Sequence, residues 1–366
     1  MADDDPEAAA AAALLCWAEL GEVHLVATSD EALAAELELG TGRTNKNFIA
    51  TSVADPSKRF FVRIGEDLPV YGVTRAKEQA AIRAAAEAGI TAPVLYTSPS
   101  SMVTEFCAGR TLTEADVRGA CSGEGDVMLL AELGVVLRRL HATPAPPELS
   151  EGGGGGGATG WAPGDLSRWL ALAEEKGYSR LPVLADARSV IASLEAAAGE
   201  CGAPCFCHFD LLPDNLIRSP APARGENDGE HGVVLPRSVA IVDYEYAGVG
   251  QPLMDLAIMS MGCSLNPAEE AALLAAYTQS EPTPELLRRV EVLKVLACVR
   301  ETFWGVVAEV SGGSALPMET AVQYADENYA KLQKYRTAFV QRSAKQVAAR
   351  WTTSRRRSEC LIAHEL

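Results

Sequence analysis

The sequence predicts an α+β protein with two lobes, a small β-rich lobe followed by a larger α-helical lobe. The chain has 366 residues, enough for two domains of about 150 residues each. Short β-rich segments separated by turn residues dominate its first hundred residues, and apolar residues at helical spacing dominate after Gly109. We therefore expect an N-terminal tail or helix over 1–30, a small N-terminal lobe over 31–109, a larger C-terminal lobe over 110–340, and a basic tail over 341–366.

The small lobe is predicted from alternating strand and turn signals. A helical pattern over 31–39 ends in a turn over 40–45, and a helix over about 74–88 ends at Gly89, a residue type that often closes helices. Short apolar segments rich in β-branched and aromatic residues predict the strands. These segments are 47–52, 59–64, 94–96 and 102–106.

The large lobe is predicted to be mainly helical. Leucine and valine recur at helical spacing over 126–141, which indicates a long buried helix. The six glycines at 152–157 predict a flexible loop, and 216–243 predicts a hairpin with a polar tip over 219–232. Further helices are predicted over 164–175, 186–199 and 255–349.

Composition excludes several classes of function. There are 32 basic and 49 acidic residues, a net charge of −17, which opposes a general role in binding nucleic acid or anionic membranes. The longest apolar run, 8–18, is too short to span a bilayer, and Asp3 to Asp5 precede it instead of a basic segment. We expect a cytoplasmic protein without a transmembrane segment. The basic segment 342–357 predicts a solvated tail, with a membrane-surface patch as the alternative.

Nine cysteines are scattered along the chain, and only Cys201, Cys205 and Cys207 cluster. Because His208 follows them directly, a metal site is one interpretation. No second Cys or His pair lies at zinc spacing, so we favour reduced thiols.

The segment around Asp210 carries the clearest chemical signal. Asp210 and Asn215 lie five residues apart on an irregular loop that leads into a short apolar strand. In phosphoryl transfer, such a carboxylate accepts the proton of the attacking hydroxyl and such an amide oxygen binds magnesium. A second apolar strand ends at Asp243, and a hairpin would return this carboxylate to Asn215. A lone aspartate is more often a surface or capping residue, but this combination is specific.

The strings HFDLLPDNLI at 208–217, VDYEYAG at 242–248, DLA at 255–257 and GRTNKNF at 42–48 resemble the choline/ethanolamine kinase branch of the aminoglycoside-phosphotransferase-like kinases. The resemblance covers about residues 39 to 336. It implies a two-lobed protein-kinase-like fold, in which 31–109 is the nucleotide-binding lobe and 110–340 is the catalytic and acceptor-binding lobe. It also implies ATP and magnesium as co-substrates and a small amino alcohol as acceptor, as in phospholipid head-group synthesis. Val307 stands where animal choline kinases have a second tryptophan. RETFWG at 300–305, with Tyr324 and DEN at 326–328 downstream, is more similar to the bacterial-type branch.

The resemblance also implies roles for individual residues. Asp210 would be the catalytic base, and Asn215 and Asp243 the magnesium ligands. His208 would brace the catalytic loop, and Asp255 would support that loop from the helix below.

For the nucleotide, the resemblance implies a loop that covers the phosphates, an arginine in place of the protein-kinase lysine, an acidic partner for it, and a linker whose backbone binds adenine. A guanidinium can hold phosphate oxygens and a carboxylate at once. The loop residues are Thr44, Asn45 and Asn47, and the arginine is Arg63. Its acidic partner is Glu78, and the linker residues are Glu105 and Phe106.

For the acceptor, the resemblance implies Glu245, Tyr246 and Trp304. Ring faces and nearby carboxylates bind quaternary ammonium groups. The alternative for Trp304 is a core aromatic.

Three functions remain open from the sequence. A kinase for choline, ethanolamine or a related amino alcohol is favoured. The same fold acting on an aminoglycoside, a sugar or another hydroxyl compound is the alternative, since fold-level resemblance does not determine an acceptor. A catalytically dead module that binds nucleotide or a partner is least favoured, because the required carboxylates and amide are all present. The sequence does not separate choline from ethanolamine, and a homodimer stays open.

Overall fold

A computed structural model describes residues 10, 22–28, 46–149, 165–182, 203–219, 239–312 and 317–364, with isolated residues between 187 and 196. Its first part is an antiparallel sheet with the strand order β1-β2-β3-β5-β4. The strands are β1 (Val23–Ala27), β2 (Lys46–Ser52), β3 (Arg59–Ile64), β4 (Val94–Thr97) and β5 (Ser101–Glu105).

The central strand β3 separates a core face from a polar face. Val62 is fully buried in a small apolar cluster, and Phe60 and Ile64 pack on the same side. Side chains alternate along a strand, so Phe61 and Arg63 point to the opposite face. Both of these residues line a large cavity.

A single helix, α1 (Arg75–Glu87), connects β3 to β4. Its buried face combines alanine and isoleucine with two charged residues, Arg75 and Glu78. The chain leaves the helix through Gly89, whose φ of 66° lies in the left-handed region that glycine tolerates. This helix and the strands β2 to β5 were predicted.

The rest of the described chain is mainly helical. The helices are α2 (Glu114–Ser122), α3 (Val127–Ala142), α4 (Asp165–Glu175), α5 (Pro252–Gly262), α6 (Pro267–Thr278), α7 (Pro284–Val310) and α8 (Met318–His364). The buried helix α7 is the centre of this part, and α4, α5 and α8 pack around it. Proline in the first turn begins α5, α6 and α7, where its missing N–H leaves no bond unmade.

Two small sheets carry the chemical motifs. Strands β6 (Arg110–Thr111), β8 (Leu216–Arg218) and β9 (Val239–Ile241) form one, in the order β6-β8-β9. Strands β7 (Cys205–Cys207) and β10 (Gly248–Gly250) form the other. The predicted hairpin is therefore confirmed as β8 and β9. The loop from β7 to β8 contains Asp210, and the loop from β9 to β10 contains Asp243.

Several expectations differ from the structure or lie outside the described residues. Strand β1 lies inside 1–30, the segment predicted as a tail or helix. It was not predicted because its short sequence gives no sign of its pairing with β2. Helix α8 continues to His364, beyond the predicted end near 349 and through the segment predicted as a tail. The helix over 31–39, the turn over 40–45, the glycine run, most of 186–199 and nearly all of the hairpin tip lie outside the described residues.

No described helix is long and apolar enough to cross a membrane.

Candidate active site

Most of the predicted site residues meet in one cavity, between the five-stranded sheet and the helical part. Glu78, His208 and Asp255 are buried and do not line the cavity. Thr44 and Asn45 lie outside the described residues. The predicted residues that line the cavity are Asn47, Arg63, Glu105, Phe106, Asp210, Asn215, Asp243, Glu245, Tyr246 and Trp304.

The loop that presents Asp210 is held by a buried carboxylate from α5. Asp255 Oδ2 accepts the N–H of His208 at 2.8 Å, and Oδ1 accepts the N–H of Phe209 at 2.7 Å. His141 adds a third contact to Oδ2 at 3.1 Å. Phe209 has a φ of 60°, which is strained for a residue with a side chain. The two charge-assisted bonds stabilise this turn, so Asp255 occupies the place predicted for a supporting residue.

His208 connects the two loops that carry the acidic residues. Its Nε2 bonds the carbonyl of Val242 at 2.9 Å, and its Nδ1 accepts the N–H of Asp210 at 3.2 Å. Burial lowers the pKa of His208, which favours the neutral ring that this pattern requires. Both ring nitrogens are engaged within the fold, so His208 is suited to bracing.

The thiol cluster has a structural explanation. The Sγ atoms of Cys205 and Cys207 lie 3.8 Å apart, and His141, Cys207 and Asp255 each place a ligand atom within 4.8 Å of the others. However, His141 bonds Tyr277 and Asp255, and Asp255 bonds the catalytic loop. Cys201 lies outside the described residues. Hydrogen bonding explains this cluster without a metal.

Asp210 and Asn215 contact each other directly. Nδ2 of Asn215 donates to the carbonyl of Asp210 at 2.8 Å and to its Oδ2 at 3.0 Å. Burial raises the pKa of Asp210 to about 8, and the negative charge of Glu301 adds to the rise, while Arg300 opposes it. A carboxylate with a raised pKa is a stronger proton acceptor once ionised, which suits a general base.

Asp243 is delivered next to Asn215 by the hairpin. The N–H of Val242 donates to the carbonyl of Asn215 at 3.0 Å, and Arg63 Nη1 donates to Asp243 Oδ1 at 2.9 Å. Burial acts to raise the pKa of Asp243, but the charge and hydrogen bond of Arg63 hold it below its ordinary value. The amide oxygen of Asn215 and the second carboxylate oxygen of Asp243 are available as metal ligands. Two oxygen ligands of this kind fit a hard cation such as magnesium.

An unpredicted arginine, Arg75, extends this network toward Glu245. Arg63 also pairs with Glu78, as predicted, and Arg75 donates to the other oxygen of Glu78 at 2.5 Å. Nη1 of Arg75 lies 3.5 Å from Oε2 of Glu245. The spacing of Arg75 and Glu78 on α1 was the available sequence signal, because residues three apart are neighbours on a helix.

The aromatic residues form a cluster at the other end of the cavity. Trp304 Nε1 donates to the Tyr246 hydroxyl at 2.7 Å, and the Trp304 ring lies 5.3 Å from that of Tyr71 and 5.0 Å from that of Tyr324. Trp304 is therefore packed like a core aromatic and also lines the cavity.

Two further charged residues at this end were not predicted. Arg300 and Glu301 precede Trp304 on α7, are buried, and line the cavity. Their only sequence signal was their position in RETFWG.

The linker after β5 passes the cavity, but two of its N–H groups are engaged in the sheet. Glu105 N–H donates to Pro93 at 3.0 Å, and Phe106 N–H donates to Arg59 at 3.2 Å. Because these N–H groups are already bonded, only the carbonyl groups of Glu105 and Phe106 are left for the predicted backbone contact with adenine. Cys107, the next residue, also lines the cavity.

Replacing Asp255 with asparagine is expected to lower both the melting temperature and kcat. The amide removes the charge from bonds to buried N–H groups, and such bonds contribute about 1.5–3 kcal/mol each. Thermal unfolding and steady-state kinetics measure the two effects. Asp326→Asn is the control, since it removes a charge from an exposed pair with Arg180. An Asp255→Asn variant with unchanged stability and kcat would contradict the supporting role.

A family model described as "Phosphotransferase enzyme family" matches residues 36–291. A comparison with curated proteins gave no match.

Solved structures with similar folds include three kinases of small molecules. A choline/ethanolamine kinase family protein from Mesorhizobium loti has 23% identity and a TM-score of 0.59, over 84% of this chain and 91% of that one. An ethanolamine kinase from Plasmodium vivax has 14% identity and a TM-score of 0.64, over 87% and 83%. A GDP complex of an aminoglycoside 2'-phosphotransferase has 13% identity and a TM-score of 0.58, over 87% and 96%. These likenesses support the predicted two-lobed kinase-like fold.

Proposed function

The chain belongs to the phosphotransferase enzyme family, and from that premise we propose that it transfers the γ-phosphate of ATP to the hydroxyl of a small amino alcohol of the choline and ethanolamine type. The observation that carries the acceptor is the group of carboxylates and rings beside Asp210. Glu245, Glu301, Tyr246 and Trp304 all line this end of the cavity. Acidic and aromatic groups together suit a cationic molecule. The product would be a phosphomonoester used in phospholipid head-group synthesis.

Asp210 accepts the proton of the acceptor hydroxyl. Its position is fixed by the N–H bond to His208 and by the two bonds from Asn215. Burial favours its proton-bound form, so the carboxylate gains by taking the hydroxyl proton as the new O–P bond forms.

Asn215 and Asp243 would hold magnesium with their oxygen atoms. When bound, magnesium neutralises the charge that develops on the phosphate oxygens. Arg63 orients the Asp243 carboxylate through Nη1, and the same nitrogen pairs with Glu78, which holds the guanidinium in place. Asn47 is the register partner of Arg63 across β2 and β3, so both face the nucleotide side of the cavity. We assign the phosphates to this side and the adenine to the linker.

Transfer to an aminoglycoside or sugar is the competing function. Aminoglycosides are also cationic, so the acidic wall alone does not exclude them. The packed rings of Tyr246 and Trp304 favour a small acceptor, because they fill the wall beside Asp210.

A panel of acceptors tests the proposal. Purified protein is incubated with ATP and magnesium, and ADP release is measured with ethanolamine, its N-methylated derivatives, choline, a sugar and an aminoglycoside. We expect acceptor-dependent ADP release with at least one amino alcohol. Release stimulated only by the aminoglycoside or sugar would contradict the proposed acceptor while leaving the phosphotransferase assignment intact.

A further inference from the structure

Two carboxylates besides Asp210 lie at the acceptor end, and they differ in their surroundings. Glu245 faces Arg75, which belongs to the network that leads through Glu78 to Arg63 and the nucleotide side. Its charge therefore supports the connection between the small sheet and the catalytic loops. Glu301 lies on α7, in the helical part, and has different partners.

Glu301 is held in place from both sides. Arg300 Nη1 donates to Oε1 at 2.5 Å, and the hydroxyl of Tyr324 donates to Oε2 at 2.5 Å. The guanidinium of Arg300 lies 4.9 Å above the ring of Tyr246, so it is itself positioned by stacking. Glu301 is only 3% exposed and lines the cavity. A buried carboxylate oriented by two short bonds is pre-organised for a ligand.

The charge at this end of the cavity favours a cation. Among the residues that the structure describes, the cavity wall holds six carboxylates and two guanidiniums. Magnesium would offset part of the negative charge near Asp243. Asp210 must be ionised to act as a base, and in that state it adds a third negative charge to those of Glu245 and Glu301 at the acceptor end. These carboxylates face the positive charge of Arg300, with Arg75 beside Glu245. The positive charge of an ammonium group would offset the negative charge that remains at this end.

The rings at this end are engaged with one another. Trp304 uses its N–H on Tyr246 and packs against Tyr71 and Tyr324, while Tyr246 stacks with Arg300. Aromatic cages bind quaternary ammonium groups through ring faces, and here one face of Tyr246 already stacks with Arg300 while Trp304 packs against two other rings. The Glu301 carboxylate, which accepts from Arg300 and Tyr324, offers further hydrogen-bond acceptor positions instead. Only an ammonium with N–H groups can use them.

We infer that Glu301, oriented by Arg300 and Tyr324, binds the ammonium group of the acceptor and makes the site select ammonium groups that carry N–H over quaternary ones. This inference rests on the proposed function, since it names the acceptor class of the same site. Glu301 is the specificity-determining residue, and Arg300 and Tyr324 are its positioning residues.

The substitution Glu301→Gln tests this inference, with Glu309→Gln as the matched control. Glu309 lies on the same helix and also pairs with an arginine, Arg180, but does not line the cavity. Values of kcat/KM are measured for ethanolamine, its mono- and dimethylated derivatives and choline, together with KM for ATP and the melting temperature. Calorimetric titration of ethanolamine into the protein without ATP gives a binding readout independent of turnover.

In the wild type, kcat/KM should fall as N–H groups are replaced by methyl groups. Glu301→Gln should lower kcat/KM for ethanolamine about 10–100-fold and for choline far less, because only ethanolamine loses a charge-assisted hydrogen bond. KM for ATP should stay within about twofold, since the nucleotide contacts are unchanged. Glu309→Gln should retain the wild-type selectivity. Tyr324→Phe should shift the ethanolamine-to-choline ratio of kcat/KM in the same direction by a smaller factor. If Glu301→Gln is unstable, this ratio in Tyr324→Phe tests the inference.

Wild-type preference for choline, or equal losses for both acceptors in Glu301→Gln and in Tyr324→Phe, would overturn the inference. Calorimetry separates it from the proposed function. Ethanolamine binding that depends on Glu301, without phosphorylation, would support the binding site and contradict only the proposed reaction. Absence of ethanolamine binding would overturn the inference itself.

Discussion

Asp210→Asn is expected to lower kcat by about 10²–10⁴-fold, the usual contribution of a general base. The amide has the shape of the carboxylate and can still accept the bond from Asn215, but it cannot take the proton of the acceptor hydroxyl. ATP affinity should change little, because this side chain lies on the acceptor side of the phosphates. Steady-state kinetics with the preferred acceptor and calorimetric titration of ATP measure the two quantities.

Asp214→Asn serves as the control for this substitution. Asp214 is an exposed residue at the rim of the cavity and lies four residues further along the same loop, so the variant makes the same chemical change at the cavity wall without altering the base. It should retain most of the wild-type kcat. An Asp210→Asn variant that keeps about a third of the wild-type kcat would show that Asp210 is not the base.

Asp243→Ala is expected to lower kcat/KM by about 10²-fold or more and to raise the magnesium concentration needed for half-maximal rate. The variant removes a hard oxygen ligand, so the triphosphate is misplaced and its developing charge is less well neutralised. It also removes one acceptor of Arg63, although Glu78 still holds that guanidinium. Magnesium titrations of the initial rate measure the effect.

Asp243→Asn separates the two roles of this side chain. It keeps an oxygen that can ligate a metal and accept from Arg63, so its loss should be smaller than that of Asp243→Ala. A rate and a magnesium requirement that are unchanged in Asp243→Ala would contradict the ligand assignment.

The acidic and amide residues of the catalytic loops were predictable because their pattern is local. Asp210 and Asn215 lie in one short segment, and the strand before Asp243 pairs with the strand after Asn215 in a simple hairpin. Their bracing by His208 and Asp255 followed from the family resemblance. These assignments stay predictions until the variants are measured, as do the domain boundaries and the roles of Thr44 and Asn45.

The residues that were missed depend on packing between distant elements. Arg75 reads as an ordinary helical charge until α1 is placed beside the loop of Glu245. Glu301 and Arg300 resemble exposed helical charges, yet α7 is buried on nearly all sides. Strand β1 has five residues and, within the described part of the chain, pairs with one strand, so little in its own sequence distinguishes it from a tail.

The most direct test of the account is the chemical identity of the product. Wild-type protein, ATP, magnesium and ethanolamine are incubated, and the reaction is followed by phosphorus-31 NMR beside an identical sample of Asp210→Asn. The account predicts a phosphomonoester of ethanolamine that forms in step with ADP in the wild type and is nearly absent in the variant. Formation of ADP with inorganic phosphate alone, or equal product from both proteins, would contradict it.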